Sequence, residues 1–152
     1  MLQILLGILI ANFQEWWIHK FLLHGRGKNK RSIWHFHWAH HNIVRTSEGY
    51  DDTYLTGGYI KEKLSLAFVA GLHFPIVLYY PTMAVTMGAY LLAYYFIHMK
   101  THIDPNWARK WVPWHWDHHM GRNQDKNWCI VFPLCDIIFG TREKYFRSEF
   151  RK

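Results

Sequence analysis

The sequence is poor in cysteine and in charge, and its middle carries no charge at all. Two cysteines, Cys129 and Cys135, in 152 residues exclude a disulfide-stapled scaffold. Charged residues make up 19% of the chain and aromatic residues 18%. An average soluble domain has roughly 25% charge, and few charges beside many rings exclude a disordered chain. Lys and Arg are missing from residues 1–19, and residues 64–99 have no charge of either sign. The net charge of +7 could suggest nucleic acid. The basic residues, however, fall in 20–63 and 100–152, beside the apolar stretches. That is a membrane-topology pattern and argues against a nucleic-acid partner. No basic n-region and no small-residue cleavage site accompany the apolar start, so it does not read as a signal peptide. No H-E-x-x-H occurs, which excludes the zincin proteases. A chain of 152 residues allows one domain.

The apolar stretches predict three membrane segments, about 2–23, 64–79 and 82–100. The charge-free run is too long for one crossing of a core about 30 Å thick. Pro75 and Pro81 interrupt it, and a turn near Tyr79-Tyr80-Pro81 divides it in two. Trp16 and Trp17 fall where interfacial rings sit. Gly71, Gly88 and Ala89 are candidates for close helix packing. Residues 25–63 read as a polar loop holding one helix near 32–42. Residues 101–152 are polar, aromatic and basic, and Cys135–Thr141 forms a short apolar element ended by Gly140. With all 18 basic residues on one side of the three spans, the positive-inside rule puts that side in the cytosol. The fold expected is all-α: integral membrane helices under a cytosolic helical cap.

Histidine is what the chain has in excess. Ten of its 12 histidines fall into four boxes: His19 and His24; His37, His40 and His41; His98 and His102; and His115, His118 and His119. Histidine is the commonest metal ligand. Residues three and four apart share a helix face, so the last three boxes each present a cluster. His19 and His24 are five apart, about 140° off on an ideal helix. They converge only at a helix end or a local distortion. Each box abuts the cytosolic end of a span or the polar segment after it, so all four can meet at one level. Ten imidazoles exceed the ligand set of one ion and suit two, with about five nitrogens each. Neutral imidazoles suit iron, zinc and copper alike. His35 and His73 lie outside the boxes, and His73 reads as a neutral, hydrogen-bonded core histidine.

Ligating imidazoles need a partner for the second ring nitrogen. Glu15, Asp117 and Asn127 are the foremost candidates, with Asp51 and Asp104 beside them. Trp34, Trp38, Trp114, Trp116 and Trp128 interleave with the boxes as channel walls or interfacial anchors.

At these residues the sequence resembles the fatty acid hydroxylase/sterol desaturase superfamily of membrane di-metal oxygenases. The segment EWWIHKFLLH resembles the opening box of fatty acid 2-hydroxylases. HWAHH, HMKTH and HWDHH follow in the family's order, and DIIFGT resembles its closing signature, with Cys135 where Trp is usual. The resemblance spans Glu15 to Thr141, within a single hydroxylase-like domain over 1–152. It implies a non-haem di-iron site held by His19, His24, His37, His40, His41, His98, His102, His115, His118 and His119, with zinc as a possible replacement. It implies O2 as co-substrate and hydroxylation or desaturation of a lipid, fatty-acyl hydroxylation first. A sterol desaturase, a carotenoid hydroxylase and a non-catalytic membrane metal-binding protein are the alternatives. The chain has no cytochrome b5 domain of its own, so electrons are expected from a separate cytochrome b5- or ferredoxin-like donor. Lys28, Lys30, Arg31, Arg109 and Lys110 offer it a basic face, as they do anionic headgroups. Oligomeric state is left open.

Overall fold

The computed structural model describes residues 1–145. Helix α1 (Leu2–Trp17) runs on without a break into a π-helical segment, Ile18–Gly25. Short 3-10 turns at Arg26–Lys28 and Ile33–His35 lead to α2 (Phe36–Thr46). After a loop come α3 (Ile60–Leu72), α4 (Phe74–Tyr79) and α5 (Pro81–Ile103). Then follow α6 (Pro105–Trp111), α7 (Pro113–Met120), an irregular segment and α8 (Leu134–Ile138). Among the described residues there is no strand.

Proline and glycine set the boundaries. Pro81 opens α5 after Tyr80 leaves helical geometry, so the hairpin turns at the expected place. Pro75 opens α4, and His73 is the hinge residue between α3 and α4. Gly140 has φ +64, the left-handed conformation that ends a helix. There the amides of Thr141 and Arg142 donate back to the Asp136 carbonyl.

Helices occupy all three expected spans. Among the described residues only Ile60–Tyr79, α3 with α4, is long and apolar enough to cross a membrane by length and composition. Regular helix α1 has 16 residues, about 24 Å, before its geometry changes. Helix α5 is long enough at 23 residues, but Tyr90, Tyr94, Tyr95 and two histidines dilute its apolar face. The outward faces are nonetheless apolar: Leu5, Phe13, Leu64, Phe68, Leu78, Leu92 and Phe96 are all exposed. So wide an apolar surface is foreign to a soluble monomer.

Helices α1 and α5 pack against each other through Gly7. A Cβ there would lie 3.0 Å from Thr86 Cβ and 3.1 Å from the Met83 carbonyl. Close approach thus rests on Gly7, whereas Gly71 and Gly88 face open space. Behind the pair, Asn12 is fully buried and ties three elements together. Its amide donates to Tyr90 Oη and the Phe132 carbonyl, and its oxygen accepts from the Cys135 amide.

Candidate metal centre

The four boxes converge. None of the ten histidines is more than 2% exposed. The π-helical segment solves the five-residue spacing of the first box. Its i→i+5 hydrogen bonds replace i→i+4, bringing His19 and His24 toward one side. Helix α2 supplies His37, His40 and His41, the end of α5 supplies His98 and His102, and α7 supplies His115, His118 and His119.

They form two groups. One holds His19, His24, His37, His41 and His118, and the other His40, His98, His102 and His119. Within each, one ligand atom per residue lies within 4.8 Å of the others. His115 adjoins the second group, with Nε2 3.2 Å from that of His102. The boxes of α2 and α7 are therefore divided: neighbouring histidines face different groups, and these helices bridge the two.

The ring protons show why a cation fits. His19 Nδ1 lies 2.5 Å from the Trp128 carbonyl and His118 Nδ1 2.6 Å from that of Lys126. His24 Nδ1 faces Asp125 at 3.3 Å. In the second group His40 Nδ1 faces Asp51 at 2.9 Å, His98 Nδ1 faces Glu62 at 2.7 Å and His102 Nδ1 faces the Gly49 carbonyl at 3.4 Å. Carbonyls and carboxylates only accept, so each of these Nδ1 atoms donates its proton. A neutral imidazole has one proton, which leaves Nε2 a bare lone pair. Yet His24 and His118 bring their Nε2 atoms within 3.2 Å, and His40 and His102 theirs within 3.1 Å. Two lone pairs cannot hydrogen-bond each other, and a shared cation between them turns repulsion into attraction. His98 Nε2 and both nitrogens of His119 are buried with no hydrogen-bond partner among the described residues, a further sign that their lone pairs face a cation.

The electrostatics agree. Burial, then neighbouring imidazoles, pushes His37, His41, His115 and His119 well below the usual histidine range. Burial and His24 do the same to His118, against the opposing pull of the Lys126 carbonyl. These rings stay neutral at physiological pH, the state that ligates. Burial pushes Asp51 up, but hydrogen bonds from His40, Tyr59 and Thr53 outweigh it and hold the carboxyl below its usual range.

The supporting acids are only partly those expected. Asp51 hydrogen-bonds His40, but the other four candidates make no hydrogen bond to an imidazole among the described residues. Glu15 accepts from the amides of Ile130 and Val131 and from Tyr90 Oη, so it holds the C-terminal segment. Asp117 pairs with Arg142 at 3.1 Å, and Asn127 bridges Arg142 and the backbone of Glu143. Asp104 caps α6 by accepting from the Trp107 amide. Glu62 and Asp125 were missed. Glu62 lies in a basic Lys-Glu-Lys run, and its signal was a lone acid at the foot of an apolar helix. Asp125 sits in an irregular loop and gave no signal. His35 bonds the Gly27 carbonyl at 2.8 Å, away from the groups. His73 meets Gln14 at 3.0 Å.

An apolar cavity of about 230 Å³ opens on the histidines. It lies between α1, α3 and α5, with Leu66, Val69, Met87 and Leu91 among its walls. His19, His37, His40 and His98 line one part of it, and Gln14, Leu72 and His73 another.

Comparison with known proteins places residues 4–141 in a match to the model of one family, fatty acid hydroxylase. No curated protein and no solved structure matches the chain.

Proposed function

We propose that this chain, which belongs to the fatty acid hydroxylase family over residues 4–141, is an O2-dependent membrane lipid oxygenase that hydroxylates a fatty-acyl chain. Membership implies oxidoreductase chemistry in general, and the two histidine groups suit metal binding. The finer reading assigns two irons, one per group, with the ten box histidines as their ligands. The observation that carries it is the pairing of bare Nε2 lone pairs at 3.1–3.2 Å beside an apolar cavity.

Bound there, two irons would supply activation of O2, the oxidant that an unactivated C–H bond demands, with two electrons from the donor reducing the second oxygen atom to water. The chain's own residues do the rest. The Trp128 and Lys126 carbonyls, with Asp125, Asp51 and Glu62, hold protons on Nδ1 and so keep Nε2 free. Tyr54 Oη donates to Glu62 at 2.9 Å and fixes the carboxylate against His98. The cavity walls exclude water and align an acyl chain with one carbon beside the histidines. Electrons come from a separate acidic donor. The basic segments before and after the apolar hairpin in sequence, which share one side of the spans in this reading, are its landing face, and that side is read as cytosolic.

The test is metal content and O2 uptake of detergent-purified chain produced with iron. Two irons per chain, and reductant-driven O2 consumption that a fatty-acyl lipid couples to hydroxylated product, are expected. A single zinc that iron does not replace, with no O2 uptake, would refute the reading.

A further inference from the structure

We infer that Gln14 and His73 form a binding site in the cavity wall for a neutral hydroxyl group of the lipid. The inference rests on reading the cavity as the lipid's seat. Gln14 stands on α1 and His73 at the hinge between α3 and α4, and both line the cavity. They meet through His73 Nε2 and Gln14 Oε1 at 3.0 Å. Among the described residues this is the only hydrogen bond of either side chain. The pair therefore keeps unused capacity. With His73 Nε2–H donating to the Gln14 oxygen, Nδ1 is a free acceptor and the amide keeps two free donors. With the amide turned and the other tautomer present, the amide oxygen is the free acceptor and Nδ1–H a free donor. Either way the pair offers the cavity one donor side and one acceptor side.

That combination selects a chemical class. A hydroxyl donates once and accepts as well, so it satisfies both sides. A hydrocarbon satisfies neither. A carboxylate or phosphate can take the donor side, but it has no proton for the acceptor side and brings a full charge into an apolar wall with no cation beside it. The position also fits a substrate held at one end and oxidised at another. Gln14 lies five residues before His19, roughly 7 Å along the helix, and His73 lies eleven after Glu62, roughly 16 Å. A hydroxyl seated here leaves several carbons between itself and the carbon beside the histidines.

The test is equilibrium binding to the detergent-purified full chain, read by quenching of its tryptophans, of which Trp17 and Trp34 line the cavity. The probes are bromine-labelled long-chain ligands of equal length: a primary alcohol, an alkane, a carboxylate and a phosphate monoester. The alcohol is expected to bind about tenfold more tightly than the alkane, the yield of about two modest hydrogen bonds. It is also expected to outrank both anions. In Gln14→Leu and in His73→Phe the alcohol's advantage should vanish while alkane affinity stays within about twofold. Equal binding of alcohol and alkane by the wild type, or tighter binding of either anion, overturns the inference without reference to any variant. Retention of the alcohol preference in both variants overturns it too. Binding is read without reductant, so it is separable from the oxidation reading. Selective alcohol binding in a chain that oxidises nothing keeps this site and removes the proposed activity. Acyl oxidation with no ranking among the probes does the reverse.

Discussion

Asp51→Asn is the most direct probe of the ring-proton argument. Asp51 is 1% exposed and accepts three hydrogen bonds: from His40 Nδ1 at 2.9 Å, Tyr59 Oη at 2.6 Å and the Thr53 amide at 3.0 Å. Asparagine keeps the shape but has one accepting oxygen and one donating nitrogen. If the oxygen stays on the Thr53 amide, the new N–H₂ faces His40 Nδ1. That nitrogen must then accept, the proton moves to Nε2, and His40 no longer offers a lone pair to a cation shared with His102 and the second group. If the amide turns, His40 is satisfied but the Thr53 amide faces a donor. His40 and Tyr59 share one carboxylate oxygen, so the first arrangement loses two charge-assisted hydrogen bonds and the second loses one, each about 1.5–3 kcal/mol of stability. In the first arrangement the second metal site also loses about 10–100-fold in affinity, the usual effect of removing a partner of a ligating imidazole. Asp51→Ala removes the acceptor without imposing a donor. It should cost more stability yet weaken metal binding less. The assay is metal titration of the purified protein followed by mass-spectrometric metal counting, with thermal unfolding alongside. Asparagine should leave the first site filled at metal concentrations where the second is half empty. Wild-type affinity at both sites in Asp51→Asn would refute the claim that this carboxylate sets the His40 tautomer.

Asp136→Ala should act through the backbone. Asp136 accepts from the Trp128 and Cys129 amides and from Thr141 Oγ1 at 2.7–2.9 Å. Loss of these should cost on the order of 3 kcal/mol and free the Trp128 carbonyl that orients His19, so unfolding measurements and metal counts should fall together; metal content unchanged in a destabilised variant would uncouple the two roles. His35→Ala should leave metal content unchanged and cost no more than about 1 kcal/mol, since among the described residues that ring bonds only the Gly27 carbonyl; loss of metal there would mean the two groups are wrongly drawn. Chelation should lower the unfolding temperature by about 20 °C, because each of two ions present at a thousandfold its Kd contributes about 4 kcal/mol. Adding metal back should restore it, and an unshifted transition would show that the histidine groups are stable empty.

What could be read in advance follows from where each interaction is encoded. The boxes at three- and four-residue spacing are side-chain patterns on regular helices, so the face-sharing of His98 with His102 follows from periodicity alone. The turn at Tyr80-Pro81 was equally legible, because proline removes a donor and fixes φ. The first box was legible as a problem: five residues do not close on an α-helix. The protein solves it by changing helix type over Ile18–Gly25 rather than by ending the helix at Gly25, and no single residue in IHKFLLHG announces that choice. The division of HWAHH and HWDHH between two groups depends on how α2 and α7 cross, which no local spacing records. Least legible is what orients the rings. His19, His102 and His118 donate to main-chain carbonyls, and every residue has a carbonyl. Glu15, Asp117 and Asn127 looked like partners for histidine because of their nearness in sequence. The fold uses them one layer out, to hold the 126–143 segment, in which the Trp128 and Lys126 carbonyls reach His19 and His118. The expected chemistry of these acids thus arrives at the imidazoles through the backbone. Substituting them should therefore disturb metal binding only insofar as it disturbs that segment.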